Sequence, residues 1–212
     1  MRKTSWFAAG VAALSAVLAS ASVLADEYDD GQIKLTRQGL KGKKVGFVPL
    51  SLGFDLPQAW YEGLKQDAAK WGYEVVVRDP NWNVQVGAQA LNQLIADKPD
   101  VLIFHPLETQ AYAKLVKKAM GDGINVIQVN MKSPNNGDAY VGANWYEIGA
   151  TAGKQLVKMC GSGSGKSGKV AIVQGVPTTA TSQIAIPGFE DVLKSHPEMK
   201  IVANQAADWD AT

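Results

Sequence analysis

Four apolar runs of strand type, KVGFV, EVVV, VLIF and NVIQV, recur between residues 44 and 129. Their apolar parts begin at Val45, Val75, Val101 and Val126, so the starts lie 30, 26 and 25 residues apart. Between them, apolar residues fall at helical spacing. Trp60, Leu64, Ala68 and Trp71 share a stripe that ends before Gly72; Ala88, Leu91 and Leu94 form a second. Tyr112, Leu115, Val116 and Ala119 form a third, closed by Gly121-Asp122-Gly123. Strands that are apolar throughout, alternating with helices, specify an α/β class with a parallel sheet covered on both faces. Right-handed crossovers then gather every strand-to-helix loop on one edge of that sheet.

The rhythm continues more thinly towards the end. A short strand over Ala139–Gly142 leads through Asn144-Trp145 into a helix reaching about Met159. A strand over Lys169–Gln174, a helix near Ser182–Ser195 and a strand over Lys200–Gln205 follow. The reading is therefore two lobes, 44–144 and 145–212, with the chain crossing near Asn144. The second lobe has two strand signals against the first lobe's four or five, and two strands make a poor independent core. The expectation is a second lobe cut short, with Thr212 in a loop that should feed another helix. Such a chain is expected to expose a sheet edge and to aggregate.

The first 25 residues carry a different pattern. Arg2 and Lys3 precede an Ala/Leu/Val-rich run, and Val23-Leu24-Ala25 stands before Asp26-Glu27, which describes a cleavable secretory signal peptide. The apolar stretch Trp6–Ala19 is too short and Ala-rich for a spanning helix, which needs about 20 apolar residues. Asp26 stands where a lipoprotein would need cysteine. Residues 26–43 form an N-terminal extension. Removing 1–25 deletes two basic residues and no acidic one, taking the formal charge from +1 to −1. That balance has no basic footprint for nucleic acid. Cys160 is the one cysteine, so no internal disulfide or Cys-x-x-Cys metal motif is available; its plain role is a small apolar side chain at a helix end.

The segment CGSGSGKSGKVAIVQG, residues 160–175, has the appearance of a phosphate loop. That loop requires Gly, four residues, then Gly-Lys-Ser/Thr, and position 160 is Cys. It must also open a helix, so that backbone N–H groups and the helix dipole meet the phosphate. Here a helix precedes and a strand follows. The segment is a helix-to-strand connector, and no nucleotide or other cofactor is implied.

Ligands of open parallel sheets bind outside the carboxyl ends of the strands. That selects the loops 50–58, 79–82, 105–108, 130–133, 176–182 and 206–210. They hold the aromatics Phe54, Trp82 and Trp209, the carboxylates Asp55, Asp79, Glu108, Asp208 and Asp210, and the amides Asn81 and Asn130. Flat apolar faces beside hydrogen-bonding rims suit a sugar or polyol. Other roles compete. Asp55 before Leu56-Pro57 fits a helix cap, and Asp79, Pro80 and Asn81 fit a turn. His105 at a strand end fits a structural histidine, with no nucleophile beside it. Trp60 and Trp71 fit the core stripe of their helix. Trp209, in the polar loop Ala207-Asp208-Trp209-Asp210, has no apolar period to explain it and favours ligand stacking.

The segments KKVGFVPL, PDVLIFHPLETQAYAKLVKKAMGDGINVIQVN, AYVGANWYEIGATAGKQL, GKVAIVQG and IVANQAADWDAT resemble periplasmic sugar-binding proteins of the ribose-binding type. These are the type I solute receptors of ABC importers, related to the ligand core of LacI-type repressors, and the likeness runs from about Lys43 to Thr212. The resemblance implies two Rossmann-like lobes hinged together, closing on a monosaccharide and docking on a permease in the inner membrane. It puts the family's aromatic stacker on Trp209 and its Asp-Arg pair on Asn130 and Met131. The arginine of the second lobe's helix falls on about Gln183, and the paired phenylalanines fall near Leu56 and Pro57, with Phe54 and Trp60 as substitutes. Losing the charged grip argues against ribose and for another sugar, a polyol or another small polar molecule.

The site expected is thus Phe54, Asp55, Trp82, His105, Asn130, Met131, Gln183 and Trp209, in a monomeric periplasmic binding protein for a small sugar or polyol. A sensory or chemotaxis receptor for the same ligands is the alternative, and an exported sugar-active enzyme a weaker one. No hydrolase elbow or metal cluster supports catalysis. A transcription regulator would need a DNA-binding helix pair where the leader stands.

Overall fold

The computed structural model of the chain describes residues 31–209. The expected signal peptide, residues 1–25, lies outside the described residues, as does Asp210. The described residues fall into two units, divided between Lys41 and Gly42. The described element of the first is helix α1, Gln32–Leu40, which lies in the expected N-terminal extension and has no buried residue. No described helix is long and apolar enough to cross a membrane.

The second unit contains two parallel sheets. Strands β1 (Lys44–Val48), β2 (Glu74–Val77), β3 (Val101–Phe104), β4 (Asn125–Val129) and β5 (Ala139–Val141) form the first, in the order β2-β1-β3-β4-β5. Helices α2 (Asp55–Trp71), α3 (Val84–Ala96) and α4 (Ala113–Gly121) connect its strands. The register Val45↔Val101 and Gly46↔Leu102 locks β1 to β3, and Leu102↔Val126 locks β3 to β4. Alternation then sorts the side chains by face. Phe47 stacks on Tyr61 of α2 on one face, with ring centroids 6.3 Å apart. On the other face Leu102, Phe104 and Val126 join Leu91 and Leu94 of α3 and Val116 of α4 in the main core. The strand order turns back between β1 and β3, so the loops leaving those two strands diverge and leave a crevice, the place where open α/β sheets take ligands.

The second sheet is β6 (Lys169–Gln174) paired with β7 (Lys200–Ala206), with a register irregularity at Val170/Ala171. Helices α5 (Trp145–Cys160) and α6 (Ala180–Leu193) pack against each other through glycines. A Cβ on Gly149 would strike the Ala185 carbonyl, and one on Gly188 the Tyr146 carbonyl, so only glycine permits this approach. A small core of Val170, Leu193 and Met199, with Cys160 packed at its side, holds the helices to the strands. Residues 161–168 run from the end of α5 to β6 and open no helix, as a connector should.

Candidate functional site

A cleft of about 410 Å³ lies where the strand-end loops of the two sheets meet. Of the eight residues expected at a site, Phe54, Trp82, His105, Asn130, Met131 and Trp209 line it. Asp55 and Gln183 do not. Asp55 is the first residue of α2, exposed at the end of the helix where a carboxylate suits the dipole, while its neighbours Phe54 and Leu56 turn to the cleft. Gln183 sits one turn into α6 and accepts a hydrogen bond from Thr109 Oγ1 at 2.8 Å, beside a separate cavity of about 240 Å³. Thr181, closer to the start of α6, lines the cleft instead. Trp145 and Leu50 also line it. Trp145 opens α5, in the connection that leaves the end of β5 at Val141, and that position was the signal that could have found it.

The loop after β2 is tied down by its own acid. Asp79 accepts from the Asn81 N–H at 2.9 Å through Oδ1 and from the Leu52 N–H at 3.1 Å through Oδ2. Asn81 and Trp82 take φ values of 45° and 64°, a region uncommon for any side chain and costly for a bulky one. The result is an aromatic row. Phe54 stacks on Trp82 with centroids 5.2 Å apart, and Trp82 meets Trp209, from the loop after β7, at 5.8 Å and 43°. Asp208 and Trp209 likewise have positive φ, 50° and 58°. Gly175, at the end of β6, makes space for this indole, because a Cβ there would collide with the Trp209 ring.

Opposite polar character comes from β3 and β4. Asn130, with φ 59°, donates its N–H to the Val141 carbonyl at 2.8 Å. Its own carbonyl accepts from Tyr140 Oη at 2.7 Å and from Trp145 Nε1 at 2.6 Å. Asn130 Nδ2 lies 3.2 Å from His105 Nε2. His105 is 1% exposed, and burial lowers its pKa from 6.5 to about 3, so the ring is neutral at physiological pH. Trp60, half-buried on α2, packs at 5.4 Å from that ring, so it supports the site from behind and does not join the main core. Glu108 is spent on its own loop, accepting from the Gln110 and Ala111 N–H groups.

Among the described residues the cleft wall carries no charged side chain, and no group of acids, histidines and cysteine could hold a metal ion. A wall of indole and phenyl rings facing a neutral amide and imidazole can stack on C–H faces and exchange hydrogen bonds with hydroxyls. A larger cavity of about 560 Å³, lined mainly by apolar residues of α5, α6 and β6, offers few such bonds. The two sheets are joined beside the cleft by the Thr109 N–H, which donates to the Thr178 carbonyl at 3.2 Å.

A family described as periplasmic binding protein domain matches residues 45–212. The ribose import binding protein of Salmonella typhimurium is 27% identical over 153 residues, covering 71% of this chain and 50% of that one. The xylitol-binding protein of Mycolicibacterium smegmatis is 26% identical over 151 residues, 70% of this chain and 42% of that one. Among solved structures, a carbohydrate transporter solute-binding protein from Agrobacterium radiobacter in complex with D-arabinose superimposes with TM-score 0.71. It shares 21% identity and covers 81% of this chain and 59% of its own, which supports the fold alone. The chain spans about half the length, or less, of these two curated relatives. Both are named for binding and neither for catalysis.

Proposed function

Because the chain belongs to the periplasmic binding protein domain family, we propose that it serves an importer by taking a small sugar or polyol between its two sheets. The observation that carries this is the cleft itself: aromatic rings from both sheets on one side, a neutral His105–Asn130 pair on the other. Its volume of about 410 Å³ falls in the range of small-ligand pockets, about 300–1,000 Å³.

The mechanism is a shift of populations. A guest touching both sheets stabilises the arrangement in which they meet, and that arrangement is the one a permease in the inner membrane would engage. The contacts that define it are the Trp82–Trp209 pair and the Thr109–Thr178 bond. A guest held between two rings needs them about 7 Å or more apart, twice a carbon contact. At 5.8 Å the indoles touch each other, so the guest stacks on one side of the pair. The work of such a protein lies in the periplasm, after export through the leader. Binding as a monomer completes the reading.

The test is tryptophan fluorescence of the purified protein titrated with pentoses, hexoses and polyols. Trp82, Trp145 and Trp209 all line the cleft, so a bound guest changes the signal at saturating concentration. No response to any member of the panel would remove the sugar and polyol reading.

A further inference from the structure

We infer that His105 is a positioning residue. It holds the Asn130 amide with the nitrogen turned to the imidazole, so that Oδ1 is the atom offered to a guest hydroxyl. This rests on the cleft being the binding site, as proposed above.

The inference follows from donor and acceptor chemistry. An amide nitrogen donates and does not accept. Asn130 Nδ2 lies 3.2 Å from His105 Nε2, and with the amide in this orientation the contact is a hydrogen bond only when Nε2 is the acceptor and carries no proton. A neutral ring then has its proton on Nδ1, which is buried without a hydrogen-bond partner among the described residues. Burial keeps the ring neutral at physiological pH, so one of its two nitrogens stays bare to accept. Asn130 has little freedom elsewhere. Its backbone is held by Val141, Tyr140 and Trp145, and its Oδ1 has no protein partner among the described residues. Reversing the amide would set Oδ1 against the bare Nε2, acceptor against acceptor. The tautomer and the amide orientation are therefore locked together.

The consequence is selectivity for a donor. An acceptor oxygen on a wall without charged side chains suits a neutral hydroxyl, whereas a carboxylate or phosphate would meet it with like polarity and gain no compensating cation.

Two measurements decide this. The first needs no ligand: nitrogen-15 NMR of histidine-labelled protein, in which His105 is told apart from His196, the second histidine, by the H105Q spectrum. The expected spectrum shows Nδ1 protonated and Nε2 bare. A ring protonated on Nε2 overturns the inference whatever the cleft binds. The second is calorimetric titration with D-ribose, D-arabinose and xylitol. His105→Leu, which removes the acceptor, is expected to weaken the best of these about tenfold, one hydrogen bond's worth. His105→Gln, whose Oε1 can accept in place of Nε2, is expected to stay within about threefold. Equal losses in the two variants, or none in either, overturn it. Should the wild type bind none of the three, the sugar reading fails by itself and the NMR spectrum still decides the tautomer.

Discussion

The two sheets are wound from the same alternation of strand and helix, yet they meet solvent differently. In the first, Phe47, Leu102 and Phe104 are each 1% exposed, with α2 against one face and α3 and α4 against the other. In the second, Val173 and Val202 are 75% and 59% exposed, and among the described residues only the face towards α5 and α6 has a core. The strand VAIV of β6 reads in sequence just like VLIF of β3. A continuous apolar run promises burial on both faces, but whether the cover exists depends on elements elsewhere in the fold. Local pattern specifies the strand; packing specifies what the strand is worth.

The comparison can be broken by mutation. Phe104→Ala, which empties the first sheet's core beside Tyr112, is expected to lower stability to denaturant by about 3–5 kcal/mol. Gly149→Ala should come next, at about 1–3 kcal/mol, because the Ala185 backbone it strikes cannot turn aside. Hydrogen exchange should show that loss in α5 and α6 and leave β1, β3 and β4 protected. Acid sharpens the contrast from the other side. The folded protein keeps His105 neutral down to about pH 3, whereas the unfolded chain takes up its proton near pH 6.5. Stability is therefore unaffected by His105 above pH 6.5 and falls as pH drops from there towards 3. The loss is about 2 kcal/mol by pH 5, and His105→Gln should remove that part of the slope in pH-dependent melts. Smallest of all, Val173→Ala should change stability by no more than about 0.5 kcal/mol. A Val173→Ala loss as large as that of Phe104→Ala would contradict the difference between the sheets.

Much of this was legible from the sequence. The starts at Val45, Val75, Val101 and Val126 all fall in β1 to β4, and the strand-end rule selected loops that do converge. Six of the eight expected residues line one cleft because a parallel sheet leaves its loops little choice. What failed did so for local reasons. Asp55 and Gln183 lie on the first turns of helices, where a rotation of 100° per residue separates a cleft-facing side chain from one facing elsewhere. Trp145 was read only as the start of the second lobe's helix, because its indole bond to the Asn130 carbonyl joins residues fifteen apart and leaves no local pattern. Helix α1 buries nothing, so its apolar pattern gave no core stripe to detect.

The claim on which the rest depends is that one small guest is held jointly by both sheets. Hydrogen exchange of the protein, with and without the pentose, hexose or polyol giving the largest fluorescence change, tests it most directly. Slower exchange in concert at residues 79–83, after β2, and at 207–209, after β7, is the result predicted. Protection confined to one of those loops would contradict it.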